Sequence, residues 1–302
     1  MLNRNVFIFV FVCISLWDCK NKPKKVAVWD SYLDYDTITE NCYDTFIEDS
    51  VYVESQMTEY ADELEESREV VALPNHLELP SYTKEDLIIK HIAYTLSFNK
   101  ETNLANWVAW SLTSENSNGK FSRTDDFRPD EMLPGKYRVD EAAYRESGYD
   151  RGHMCPAADN KWSYQAMSES FLMSNMCPQD PELNQVWWEH LEKAERRWAN
   201  QEGCVYICCG PIYVKLSESR YIGEEIKIRI PDAFFKVIVS LRLGKEKGIG
   251  FYYKNDDSRQ TMESAALTID QVEELTGYDF FSELPDEIEN QIEAQNKLST
   301  WR

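Results

Sequence analysis

Positive charge is scarce in this sequence. Across 302 residues, 32 Lys and Arg stand against 53 Asp and Glu, a formal net charge of −21. A surface of that sign repels a polyanion before any groove is reached, which argues against broad electrostatic binding to phosphate backbones. Histidine is scarcer, at four residues, so proton transfer near neutral pH can rest on very few side chains. The apolar run from Val6 to Trp17 is twelve residues long, too short to span a bilayer, which takes about 20. There is no CxxC pair to support a zinc site, no internal repeat and no long low-complexity tract. What is present excludes disorder of the whole chain: 43% of residues are hydrophobic and 13% aromatic, with nine Trp, ample for a sizeable core.

The acidity is unevenly spread. Between Asp30 and Glu69 there are fourteen acidic residues and one basic, Arg68. That segment alone carries −13 of the −21 and reads as a solvated, self-repelling spacer. The remainder carries only −8, so the charge objection to a polyanionic partner weakens for the folded body. Upstream, Arg4 and the run to Trp17 have the form of a secretory signal. Leu16 stands three positions before Cys19, which resembles the lipobox of bacterial lipoproteins, although Asp18 departs from it. The expectation is a signal over 1–19, an exported chain in the cell envelope or secreted, and a membrane anchor through lipidated Cys19. A buried N-terminal strand of a cytosolic protein is the competing reading, and the basic segment Lys20 to Lys25 disfavours it. The chain then divides into an acidic stalk over 20–78, a folded domain over 79–285 and a C-terminal tail over 286–302.

Alternating and continuous apolar runs predict strands at 91–99, 106–113, 205–214, 226–231 and 234–243, with Gly210-Pro211 marking a break. Between the two sets lies the best helix, with Asp180 as N-cap, Pro181 at its first position and an end near Gly203. Its stripe of Trp187, Leu191, Ala194 and Trp198 is core packing against a sheet. A second helix is predicted over Thr268–Leu275, and the residues after Pro285 are a candidate third. Strands, helix, strands describe an α+β domain with an antiparallel sheet.

Within this frame, Asp150-Arg151-Gly152-His153 places a basic side chain, a glycine and an imidazole side by side, next to Tyr149. His153 is the strongest proton acceptor on offer. His76 sits in a linker, His91 in a strand pattern and His190 on the helix without an obvious partner. A lone histidine is more often structural, and the motif by itself decides nothing. Asn184, in the first turn of the best helix, offers an amide oxygen that suits Mg²⁺, against the plainer reading of a helix-terminal hydrogen bond.

Taken together, YDRGHMCPAADN (149–160), SNMCPQ (174–179), LNQVWWEHLE (183–192), CGPIY (209–213), IPDAFFKVIV (230–239) and SRTDDFRPD (122–130) resemble the DNA/RNA non-specific endonuclease family, over roughly Leu79 to Leu284. The resemblance implies a ββα-metal (His-Me finger) nuclease fold, with a central antiparallel sheet flanked by helices. It implies cleavage of DNA and RNA through phosphate contacts to 5′-phosphate and 3′-hydroxyl ends, with Mg²⁺ as cofactor and Mn²⁺ as a substitute. Carried over by position, His153 is the general base and Asn184 the metal ligand. Arg123 matches an arginine near the scissile phosphate, Arg151 and Arg196 match further basic positions, and Glu192 matches an acidic residue that orients water at the metal. Asp150 matches a structural partner. A homodimer is a further implication.

Eight residues at about 100° each put Glu192 roughly 80° around an α-helix from Asn184, so a helix-surface salt bridge with Arg196 at i+4 competes for it. Cys155 and Cys177 are expected to approach one another near the site, where a disulfide would suit an exported protein. Adjacent Cys208 and Cys209 point to opposite faces of a strand. The competing functional class is a catalytically silent nuclease fold that binds nucleic acid or a protein at the cell surface. A structural envelope lipoprotein is the blandest reading.

Overall fold

The computed structural model describes residues 76–214 and 219–301. The expectations for the signal, for Cys19 and for the acidic stalk up to residue 75 lie outside these residues. No described helix is long and apolar enough to cross a membrane.

The described residues form eleven strands: β1 (Leu87–Lys90), β2 (Thr95–Asn99), β3 (Leu104–Thr113), β4 (Asp150–His153), β5 (Met176–Gln179), β6 (Cys204–Ile212), β7 (Tyr221–Ile222), β8 (Ile228–Arg229), β9 (Ala233–Ser240), β10 (Lys247–Lys254) and β11 (Ala266–Leu267). Seven of them make one antiparallel sheet in the order β1-β2-β3-β6-β9-β10-β11, while β4-β5 and β7-β8 are separate hairpins. The central strands read as unbroken apolar runs because both faces are covered; every residue of β9 is buried. On one face Phe234 and Ile238 join Val108, Trp110, Trp188, Leu191 and Trp198. On the other, Phe235, Val237 and Val239 join Trp107, Ile269, Val272 and Ile292. Each large side chain fully buried in this way contributes about 1.5–3 kcal/mol.

Several local expectations change. Residues 91–94 form the turn between β1 and β2, so the strand expected at 91–99 is confined to Thr95–Asn99. Gly210-Pro211 does not break β6. Its pairing with β3 ends at Cys209, and beyond that point β6 pairs only with β9, so proline lies where one side of the strand has no ladder to lose. A Cβ on Gly210 would stand 2.3 Å from the Asn106 carbonyl oxygen, which is why that position must be glycine.

The expected α-helix from Asp180 opens as foreseen, the Asp180 carboxylate accepting the Glu182 amide at 2.9 Å, but it is not uniform. Leu183–Trp188 is a π-helical segment that runs into helix α1 (Glu189–Glu202). The extra residue in the π turn shifts the phase, so Trp188, at 1% exposure, takes the core position expected of Trp187. Downstream, α2 (Ile269–Thr276) carries a Thr268–Gln271 capping box and ends on left-handed Gly277. The segment after Pro285, expected as a tail, belongs to the folded body. It forms α3 (Asp286–Glu293), and Ile292 and Trp301 are buried at opposite faces of the sheet. At the other end, Leu77, assigned to the stalk, is buried in the same cluster as Ile292.

Candidate active site

The hairpin β4-β5 and the helix that follows it form a ββα unit. His153 pairs with Met176 and Asp150 with Gln179, and the chain enters the helix immediately after Gln179. Asn255, buried just beyond β10, fixes this corner. Its side chain accepts the Asp180 amide at 2.7 Å and donates to the Pro178 and Pro231 carbonyls at 3.0 Å each. Gly152 is packed so closely that an added Cβ would lie 1.9 Å from the Gln179 side chain. A side chain there would have to displace the buried Gln179.

His153 is framed by aromatic rings. Phe171 and Phe127 meet the imidazole edge-on, with centroids 5.0 and 5.9 Å away, and they pack on each other at 5.0 Å. An arginine covers each ring: Arg123 lies 4.7 Å over Phe171 and Arg151 lies 4.0 Å over Phe127. Each guanidinium also holds a carboxylate, Arg123 with Asp125 at 2.6 Å and Arg151 with Glu141 at 2.7 Å. The His153 Nε2 atom is enclosed with no hydrogen-bond partner. Burial, and then the charges of Arg123 and Arg151, pull this histidine from its ordinary 6.5 down to about 3. The imidazole is therefore neutral over the whole neutral range, the state a proton acceptor requires.

Asn184 sits in the π segment, where its Nδ2 donates to the Asp150 carboxylate at 2.9 Å, and Gln185 donates to the same oxygen at 2.7 Å. Anchoring the amide through nitrogen leaves Oδ1 as the free donor atom. A neutral, hard oxygen of this kind fits a divalent cation of the Mg²⁺ type, which asks for few protein ligands.

Glu192 and Arg196 lie further along the helix in a second charged cluster with Asp159, Glu195 and Lys236. Arg196 makes its ion pair with Asp159 at 2.9 Å and not with Glu192, so the expected i+4 salt bridge is replaced. Trp110 Nε1 also donates to Asp159, at 3.2 Å. Lys236 and Glu195, both fully buried, pair at 2.8 Å, and the ammonium lies 4.3 Å over the Trp188 ring. Burial pushes Glu192 up to about 8 against the pull of Lys236, and Asp159 up to about 6 against that of Arg196.

Cys155 and Cys177 are free, buried thiols, not a disulfide. Cys155 Sγ accepts from Asn160 at 3.4 Å, Cys177 sits opposite Gly152 on β5, and burial raises both thiols. Cys208 and Cys209 do face opposite sides of the sheet. Among the described residues, no cysteine or histidine belongs to a cluster with metal-ligand spacing. His91, the other buried histidine, is structural: its Nε2 is 3.0 Å from Asp130, which also accepts from Ser174 at 2.6 Å.

Sequence reasoning missed Phe127, Phe171, Asn255 and the Lys236–Glu195 pair. Phe127 and Lys236 lay in motifs already quoted. Phe171 and Asn255 looked like ordinary core or surface residues. A cleft of ≈ 400 Å³ adjoins Arg123, lined among others by Lys120, Phe121, Ser122, Ala158 and Lys161. It continues the positive charge of the site outward.

The sequence pattern of the family described as DNA/RNA non-specific endonuclease matches residues 75–287. A nuclease from Nostoc sp. is 34% identical over 226 residues, covering 70% of this chain and 80% of that protein. Human mitochondrial endonuclease G is 32% identical over 196 residues, 61% of this chain and 66% of its own length. A chain in the crystal structure of the EndoG/EndoGI complex superposes with a TM-score of 0.62 at 28% identity, covering 68% of this chain and 89% of that one. The ββα-metal fold is that of a hydrolytic nuclease, and the chain belongs to the DNA/RNA non-specific endonuclease family.

Proposed function

We propose that the protein is a Mg²⁺-dependent, sequence-non-specific endonuclease that cuts DNA and RNA to 5′-phosphate and 3′-hydroxyl ends, with His153 as its general base. The observation that carries this reading is the state of His153: neutral, unpartnered at Nε2 and flanked by Arg123 and Arg151. With Nε2 enclosed, Nδ1 is the nitrogen that takes a proton from the attacking water. A bound phosphodiester brings negative charge to the two guanidinium groups that depress the histidine. Substrate binding therefore raises the basicity of His153 at the moment the proton must move.

Arg123 and Arg151 neutralise the non-bridging oxygens, and their stacking on Phe171 and Phe127 fixes them before substrate arrives. Asn184 would hold the divalent ion through Oδ1, since Asp150 sets the orientation of the amide. When bound, the ion supplies Lewis-acid stabilisation of charge on the phosphate and the departing oxygen. Glu192 and Arg196 support the site from behind, within the buried cluster. Nothing in this constellation reads a base edge, so sequence preference is weak. The Lys120–Lys161 cleft carries the neighbouring phosphates. Export through the 1–19 segment and anchoring at Cys19 complete the proposal. Fatty-acid labelling that is lost in Cys19→Ala tests the anchor.

The decisive experiment is degradation of plasmid and RNA with Mg²⁺, with EDTA and with His153→Ala. Cleavage of both substrates that depends on metal and falls about 10²–10⁴-fold in the variant is expected for loss of a general base. An active His153→Ala protein refutes the assignment. A folded wild-type protein that binds nucleic acid without cutting it transfers the fold to the binding class.

A further inference from the structure

On the face of the sheet opposite the ββα unit, α2 and α3 pack against β10, their Ile269, Val272 and Ile292 buried in one cluster. Where the two helices meet, a carboxylate oxygen from each of Asp270, Glu273 and Glu293 lies within 4.8 Å of the others. Surface carboxylates often gather without meaning, but Glu293 is not at the surface. It is 7% exposed, and its Oε1 is enclosed without any hydrogen-bond partner. It also stands at the last residue of α3, where the unsatisfied carbonyls of the helix end make negative charge unfavourable. The charges that act on it are four other carboxylates, Glu273, Glu289, Asp270 and Asp279. Glu273 is held in place by the Phe280 amide, which donates to its Oε1 at 2.7 Å, so the cluster is not free to disperse.

We propose that Asp270, Glu273 and Glu293 form a second, structural site for a hard divalent cation of the Ca²⁺ type, which ties α3 to α2. Three carboxylates from two helices give oxygen ligands only, and the exposed Asp270 leaves the outer side open for water. Ca²⁺ tolerates that mixed, irregular shell, whereas Mg²⁺ demands near-octahedral geometry. The cation supplies the positive charge that the buried Glu293 lacks. The site is separate from Asn184, which lies with the helix on the other face.

The test is thermal unfolding of the full chain, stripped with chelator and titrated with Ca²⁺ or with Mg²⁺. Wild type, Asn184→Ala, Glu293→Gln and the exposed substitution Asp270→Asn are compared. Asn184→Ala removes the ligand assigned to the nuclease site, so the response that persists in it belongs to the second site whether or not the nuclease reading holds. Ca²⁺ at about 100 times its Kd is expected to raise the melting temperature of wild type and of Asn184→Ala by on the order of 5 °C. It is expected to leave Glu293→Gln and Asp270→Asn nearly unmoved. In chelator the order reverses, because Glu293→Gln removes the repulsion and melts above wild type. No Ca²⁺ response in Asn184→Ala overturns the proposal, as does an undiminished response in Asp270→Asn.

Discussion

Lys236→Met isolates the buried charge that couples the central sheet to the helix bearing Asn184. The Lys236 ammonium is fully buried, 2.8 Å from a Glu195 carboxylate that is also fully buried, and it lies 4.3 and 5.4 Å over the Trp188 and Trp110 rings. Removing one partner of such a pair leaves the other charge uncompensated, at a cost of about 3–5 kcal/mol. The second carboxylate oxygen, Glu195 Oε2, already lacks a partner, so Glu195 has no alternative bond to fall back on. In a domain of this size, the loss corresponds to a fall in melting temperature of roughly 6–20 °C. The double variant Lys236→Met/Glu195→Leu removes both charges while filling the same space, and is expected to recover most of the loss. Urea unfolding of wild type, both single variants and the double variant closes the cycle. If Lys236→Met alone unfolds at the wild-type urea concentration, or if the double variant is as unstable as the sum of the singles, the pair is not a coupled unit and the reasoning fails.

Three further outcomes follow from the site. The acid limb of the kcat/KM profile is expected well below pH 6.5, because His153 is held near 3 by burial and two arginines. Arg123→Met removes one of those charges and moves the limb upward, and a limb that stays fixed or moves down refutes the electrostatic account. The same shift makes His153 a contributor to acid sensitivity. The unfolded chain protonates it first, so its share of stability is complete above pH 6.5 and is lost as pH falls toward 3, which unfolding midpoints across that window would reveal as a slope absent in His153→Phe. Lys120→Ala/Lys161→Ala is expected to raise KM with little change in kcat and to flatten the dependence of KM on salt; an unchanged salt slope would remove the cleft from the substrate path.

The strands of the sheet were legible because β6 and β9 are buried on both faces and so read as continuous apolar runs. Helix α2 was legible because its cap is local: Thr268 and Gln271 are three residues apart. The hairpin β4-β5 has only four residues per strand, too few for a period, and its place is fixed by contacts distant in sequence such as Asn255. The π segment has no pattern of its own; within it Asn184 and Gln185 both donate to the Asp150 carboxylate, a partner more than thirty residues away. Lys236 and Glu195 did carry a signal. Lys236 alternates with Phe234 and Ile238 on one face of β9, and Glu195 stands between Leu191 and Trp198 on the buried stripe of α1. Two opposite charges on facing apolar stripes imply a buried pair, but only once the strand and the helix are known to face each other. The Cys155–Cys177 disulfide expectation failed for the converse reason: nearness to the same motif does not make a bond, and both remain free thiols within one core cluster.

The net charge of −21 poses a problem for a nuclease only if charge is averaged over the chain. At physiological salt, exposed charges more than about 8 Å apart are largely screened, so what a phosphate meets is the local set. Around His153 that set is Arg123 and Arg151, with Lys120 and Lys161 along the adjoining cleft. Each arginine is tied to a carboxylate, Asp125 or Glu141, through an exposed ion pair of the kind worth about 1 kcal/mol or less. A phosphodiester offering two charge-assisted hydrogen bonds can displace such a partner at little cost. The stacking on Phe171 and Phe127, by contrast, depends on ring geometry and survives the exchange. On the proposed reading, the acidic partners hold the guanidinium groups in place without substrate and yield them when it arrives.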